Sequence, residues 1–392
     1  MKPDSKVWGK IGQGFSTLFS ELTGESVVSV DGEQWKRQRT VMKPGFKYTN
    51  LKELLPGFQA ISTTLCEHLD TACEKGSFEP HFWMSRTTVD ALGKCGFGMD
   101  FDALNGKMTE IYEAYEGIIS SFANPLLLMD WYGKLPLKSN RKIREAKESF
   151  WKWTRITVQN QLKEMENNAE RQGNLLDMMI EAHFSEDPKL NEKELLQNIF
   201  LFFLAGHETT SGTLTFVLDA LARNQDVQQK CREEISSLFT LGEQPTYEKI
   251  KKLQYLNRVI SETMRTKPLV SGISREAKQD TTVMGYFIPK GTFVTGIVGN
   301  LHHDSDTWED PFKFKPDRWT EPQKHHSTPY FMPFGAGPRI CLGMNFANLE
   351  MRVVLINLLL RYQFDVEMDL QFQRSITLVP KSGYTLKISQ LK

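Results

Sequence analysis

Helical patterning dominates the first two-thirds of the chain. "GEQWKRQRTVM" and "LKELLPGFQAISTTLCEHLDTACEKG" suit helices, the second ending at Gly76 with a kink expected at Pro56. Residues 141–173 read as a long charged helix closed by Gly173, its charges forming a solvated face rather than a binding patch. Residues 191–224 predict a longer helix still, on the order of 50 Å at about 1.5 Å per residue. Its "IFLFFLAG" is the most apolar run in the chain, and "HETTSGT" interrupts it well short of a membrane span of roughly 18–20 residues. It reads as a buried helix. After Pro268 the texture changes. "TTVMGYFIPKGTFVTGIV" predicts short strands and turns, and "SITLVPKSGYTLKIS" a hairpin turning at Pro380–Gly383. Between them "CLGMNFANLEMRVVLINLLLRY" carries an apolar stripe at helical spacing and ends before a strand at Phe364. The expected fold is mainly α with small β-sheets, a single domain over 1–392 with α-rich and β-rich lobes.

Composition narrows the function. Lys plus Arg equals Asp plus Glu at 48 each, so no net field draws nucleic acid or an acidic membrane. The five cysteines, Cys66, Cys73, Cys95, Cys231 and Cys341, are scattered, with no C-x-x-C pair. That argues against a four-cysteine zinc site or a thioredoxin-like centre and fits a reducing compartment. The first thirty residues hold no uninterrupted apolar run, so they resemble neither a signal peptide nor a membrane span.

One cysteine stands apart. Cys341 follows a turn rich in Gly335, Gly337 and Pro338 and opens an apolar helix. Unpaired N–H groups at a helix start favour a thiolate, and glycines let the backbone close around a flat object. Arg339 can pair with a carboxylate on that object. Together these describe a haem-iron ligand; the plain alternative is a buried structural cysteine. Spacing separates them. Phe334, Gly337, Arg339, Cys341 and Gly343 match F-x-x-G-x-R-x-C-x-G, so the stretch resembles the haem signature of the cytochrome P450 family.

Further patterns follow in that family's order. "AGHETT" at 205–210 resembles its acid–alcohol motif. The resemblance assigns Thr209 to a hydrogen bond where dioxygen is activated, Glu208 to proton supply, and Gly206 to leaving room for dioxygen. The alternative is a Ser/Thr segment bonding back to its own helix. "ETMR" and "FKPDRW" resemble the E-x-x-R and P-E-R-F segments, which makes Glu262, Arg265 and Arg318 a structural triad holding the cysteine segment. "WKRQR" supplies Trp35 and Arg39, one turn apart, for a haem propionate. Arg275 and Arg339 would be further propionate cations.

What the resemblance implies is a haem-thiolate monooxygenase: haem b held by Cys341, O2, and electrons from NADPH through NADPH–cytochrome P450 reductase, with cytochrome b5 as an optional donor. The substrate would be lipophilic: a sterol, a fatty acid or a foreign compound. Reductase would dock near the cysteine loop, meeting Lys36 and Arg37. Location would be the cytosolic face of the endoplasmic reticulum, with no anchor in this chain. Val270, Ser271 and Gly272 would line the pocket, where many members have a paired proline. Ala205 stands where fatty-acid ω-hydroxylases of the family often carry a haem-linked glutamate, which counts against that subgroup. Members also carry a substantial block before the W-x-x-x-R helix, so the chain reads as N-terminally incomplete, with main-sheet edges left unpaired and weak haem binding. A non-catalytic, poorly folding fragment is the rival from outside enzymology. A peroxide-rearranging member is another rival, disfavoured by the intact Glu208–Thr209. A cysteine hydrolase lacks a matching His motif.

Overall fold

The computed structural model describes residues 7–10, 21–107, 110–121, 124–167, 174–320, 330–374 and 377–391. Gly32–Met42 and Leu55–Lys75 are helical, and Gly76 ends the second in the left-handed conformation. Pro56 does not kink it. Proline lacks an N–H, and the first helical turn needs none, so Pro56 starts this helix after the separate Tyr48–Glu53. Lys138–Glu166 buries Asn140, Phe150, Thr154 and Val158 and leaves its charges outward. Its expected end at Gly173 lies outside the described residues.

Glu192–Arg223 forms one unbroken helix. Asn191 caps it: the Asn191 side chain accepts from the Glu194 N–H, and the Glu194 carboxylate accepts from the Asn191 N–H. The N-terminal half packs in a core with Glu110–Ser121, Lys138–Glu166 and Leu175–Phe184. The C-terminal half enters a second core with Leu55–Lys75, Gln225–Leu238, Gln254–Thr266 and Met344–Arg361. This central helix therefore ties both cores, and its middle is held from both ends. Met344–Arg361 is buried on nearly every side rather than along one stripe, as expected of a helix that is apolar all round.

Gly272–Ala277 is the middle strand of an antiparallel sheet between Trp8–Gly9 and Phe293–Ile297. Trp8–Gly9 thus supplies one edge from upstream of the first motif helix. The outer side of Phe293–Ile297 has no partner among the described residues, and Phe293 and Ile297 are exposed. The short strands and turns expected after Pro268 include a hairpin of Thr281–Val283 and Tyr286–Ile288, turning through Met284 and Gly285, both at positive φ. The hairpin expected around Pro380–Gly383 does not form. Leu378–Pro380 pairs with Phe372–Arg374, while Leu386–Gln390 lies between Ser77–Phe78 and Tyr362–Val366. Leu386 and Ile388 are buried beside Phe78 and Phe364, and burying that apolar face outweighs pairing with the near neighbour.

Candidate functional site

The Cys341 loop is closed by its own backbone. The Cys341 N–H donates to the Phe334 carbonyl at 2.9 Å, and Gly335 N–H to the Met332 carbonyl at 3.0 Å. Gly335 and Gly337 take φ of +73° and +69°, a region a β-carbon makes costly. Backbone N–H groups of Gly343 and Met344, at the start of Met344–Arg361, point at the sulfur. The residue is exposed by surface area, yet its thiol is set deep among protein atoms. Burial pushes it above its ordinary value, while Gly343, Arg39 and Met344 pull the other way. The other four cysteines are wholly or partly buried.

Cations gather on one side of this loop. Arg39, on Gly32–Met42, donates to the Ile340 carbonyl at 2.9 Å. Two guanidiniums approach the Trp35 ring, Arg339 at 4.6 Å and Arg39 at 5.7 Å. Arg339 pairs with Asp31 and donates to the Val30 carbonyl at 2.8 Å. Its Nη1 is buried without a partner. Arg275 joins the cluster from Gly272–Ala277; burial lowers its value and Asp31 opposes that. Sequence reasoning missed two members. Lys10 donates its backbone N–H to Asp31 at 2.7 Å, and its ammonium is lowered to about 8 by burial, Arg275 and Arg339, against Asp31. No pattern marks either residue. The cluster thus sets Lys10, Arg39, Arg275 and Arg339 against Asp31, and it calls for an anionic partner.

The acid–alcohol segment divides. In this otherwise buried stretch of the central helix, Ala205 is exposed, and Gly206 and Thr209 are partly so. Thr209 Oγ1 donates back to the Ala205 carbonyl at 2.7 Å, the ordinary helical arrangement. Glu208 turns away into protein: its Oε1 accepts from the Thr377 hydroxyl at 3.1 Å, and Oε2 is buried without a partner. Burial raises its carboxyl, Thr377 lowers it, and Glu116 raises it further. The two side chains therefore serve different sides of the helix. A β-carbon on Gly206 would come within 3.1 Å of Leu92 Cδ1, so its smallness also serves packing against that neighbour. Phe46 links the two parts of the site. It lies 3.9 Å from where a β-carbon on Gly343 would sit, and its ring is 5.7 Å from that of Phe202 on the central helix. Val270 and Ser271 are exposed and Gly272 partly so.

The triad is buried, not a surface bridge. Glu262 accepts from Arg265 Nε at 2.9 Å and Nη2 at 2.8 Å, and from Arg318 Nε at 3.0 Å. Trp319 Nε1 adds a fourth side-chain donor at 3.0 Å, a role sequence reasoning did not give it. Arg265 Nη1 reaches the carbonyls of His302 and Pro311. His302 Nε2 then accepts from the Met332 N–H at 3.1 Å, which carries the connection into the cysteine segment. The two residues expected at a docking face differ in their surroundings: Arg37 is engaged with the buried Glu194 carboxylate and the Lys189 carbonyl, whereas Lys36 pairs with exposed Glu33 at the surface.

The sequence profile of the cytochrome P450 family matches residues 11–388. Cytochrome P450 3A31 of Mesocricetus auratus is 31% identical over 91% of this chain and 74% of its own length. Cytochrome P450 3A29 of Sus scrofa is 32% identical over 88% and 71%. Cytochrome P450 3A6 of Oryctolagus cuniculus is 31% identical over 91% and 74%. Because the match runs through cysteine loop, buried triad and central helix alike, the chain belongs to the cytochrome P450 family and is a haem-dependent monooxygenase.

Proposed function

We propose that this chain inserts one atom of O2 into a C–H bond of a lipophilic substrate (a sterol, a fatty acid or a foreign compound), with Cys341 as the protein ligand to haem iron. The observation that carries the reading is the pairing of an exposed cysteine in a glycine turn with four cations and one carboxylate beside it. Those residues fit a flat dianionic cofactor. Arg339 Nη1, Lys10 and Arg275 would meet its carboxylates, and Arg39 and Trp35 would hold their places in the cluster. When bound, haem supplies the dioxygen chemistry, with electron density from the thiolate favouring O–O cleavage.

The chain's own residues then have separate tasks. The N–H groups of Gly343 and Met344 stabilise negative charge on the Cys341 sulfur. The strip at Ala205, Gly206 and Thr209 offers a small, nearly apolar surface with one hydroxyl. That hydroxyl can orient a proton, because its oxygen still accepts while it donates to Ala205. Glu208, whose carboxyl is raised by burial, is placed to pass a proton inside protein. Phe334, Gly337 and Gly343 shape the loop. Electrons would come from NADPH–cytochrome P450 reductase, with cytochrome b5 as an optional donor, at the cytosolic face of the endoplasmic reticulum. Among the described residues no helix is long and apolar enough to cross a membrane.

The test is the absorption spectrum of the reduced, CO-bound protein. Wild type and Cys231→Ala should give the thiolate-type band, and Cys341→Ala should lose it. A normal band in Cys341→Ala removes the ligand assignment. A second reading, a non-catalytic chain, draws on the Phe293–Ile297 edge, which is unpaired among the described residues, since an unpaired edge is a recognised aggregation liability. Absence of the band in soluble wild type would favour it.

A further inference from the structure

Between Gly206 and Glu208 stands His207. It is buried, and both ring nitrogens are engaged by neighbouring helices. Nε2 is hydrogen-bonded to Ser85 Oγ on Pro80–Ala91 at 2.7 Å, and Nδ1 to the Tyr115 hydroxyl on Glu110–Ser121 at 3.2 Å. Ser85 Oγ is also 3.4 Å from the Tyr112 hydroxyl, and Tyr112 interacts electrostatically with the Glu116 side chain one turn along its helix. Glu116 reaches solvent. At the inner end Glu208 keeps one buried oxygen without a partner. Tyr115 feels both carboxylates, Glu208 more than Glu116. An accessible acid and a buried acid thus flank a run of three hydroxyls and an imidazole drawn from three helices.

We propose that Glu116, Tyr112, Ser85, His207 and Tyr115 form a proton relay from solvent to Glu208. The inference rests on the reading above, in which Glu208 supplies protons to the reaction. Each carrier gains one proton and loses one. Glu116 gives to the Tyr112 oxygen as Tyr112 gives to Ser85; Ser85 gives to His207 Nε2, and the Nδ1 proton passes to Tyr115. Tyr115 delivers its own proton toward Glu208. That last link is through space, not a direct hydrogen bond, and the unpartnered Glu208 oxygen is the acceptor left to it. Reorientation of the hydroxyls and the ring tautomer resets the chain. Overall, substrate C–H, O2, two reductase electrons and two protons become alcohol and water.

The carriers stay neutral while passing protons. Burial and His81 lower His207 to about 3, while burial raises Tyr112 to about 12 and Tyr115 well above its ordinary value. The other titratable groups facing the chain are His81 and Arg86 on Pro80–Ala91, with Glu208 on the central helix. Such a chain conducts by hopping, not by charging its members.

The experiment uses haem-loaded enzyme with NADPH–cytochrome P450 reductase and compares Tyr112→Phe, Ser85→Ala and Glu116→Gln. Product per NADPH should fall about five-fold in each, with released peroxide rising and the solvent deuterium isotope effect changed. Hydrogen peroxide as oxidant brings its own protons, so product formed that way should stay within about two-fold of wild type. Coupling retained within about two-fold in Tyr112→Phe and Glu116→Gln, or equal loss in both modes, overturns the relay. Failure of the underlying reading looks different: wild type would then lack the thiolate-type CO band, or Glu208→Gln would couple normally.

Discussion

At the residue scale, the alcohol of the central helix separates a general structural habit from a catalytic one. Thr209 Oγ1 already satisfies itself on Ala205, so removing it strands no buried group. Thr209→Ala should therefore keep haem, fold and substrate binding. Coupling is where it should fail, with product per NADPH down about ten-fold and peroxide released instead. Thr209→Ser should recover most of the loss. Unchanged coupling in Thr209→Ala would hand the role to Thr210 or to water. Motif spacing alone exposed Thr209 and Glu208. Their divergence was not legible there, since neighbours on a helix point about 100° apart and only packing decides what each meets.

At the scale of elements, the segment that presents Cys341 is held by a buried charge network. Glu262 and Arg265 are both fully buried, and Lys315 N–H, Arg318 and Trp319 also donate to Glu262. Removing Glu262 or Arg265 leaves its partner charged and dry, typically at a cost of about 3–5 kcal/mol. Glu262→Ala and Arg265→Ala should therefore lose soluble, haem-loaded protein, measured as haem stoichiometry and Tm. Full loading in either would make the network dispensable. His302 adds a pH dependence. Burial lowers it from 6.5 to about 4, and Nε2 must stay unprotonated to accept from Met332. A histidine depressed on folding contributes stability that is complete above its unfolded value and lost as pH falls toward its folded value. Stability should thus decline between about pH 6.5 and 4, by up to about 3 kcal/mol from this group. His302→Gln should remove that contribution from the acid limb in Tm-versus-pH scans, leaving the part due to buried His207 and His81. An unchanged limb would clear His302 of the role.

For the whole molecule, net neutrality conceals local imbalance. Arg37 and Lys36 are neighbours in sequence but belong to different problems. Arg37 neutralises Glu194, whose side chain is fully buried, whereas the Lys36–Glu33 pair is exposed and salt-screened. Lys36→Glu should raise the reductase KM about two- to five-fold and weaken its salt dependence, with Tm unchanged. Arg37→Glu should instead lower Tm, because it sets two carboxylates together. Equal KM effects with no change in Tm would refute the distinction.

The amino-acid sequence by itself determined what depends on near neighbours. Asn191 with Glu194 specified a helix start, Gly76 a helix end, and the interval from Phe334 to Gly343 a cysteine turn. Each is a local matter of backbone conformation and hydrogen-bond reach. Only the tertiary structure decided which distant groups share a charge or a face. It brought Lys10 and Asp31 to Arg339, drew Trp319 and Lys315 onto Glu262, and led Leu386–Gln390 away from its sequence neighbour. Those choices follow from burying apolar area and from satisfying dry charges across long separations in the chain. Neither requirement leaves a period or a spacing in the sequence to be read.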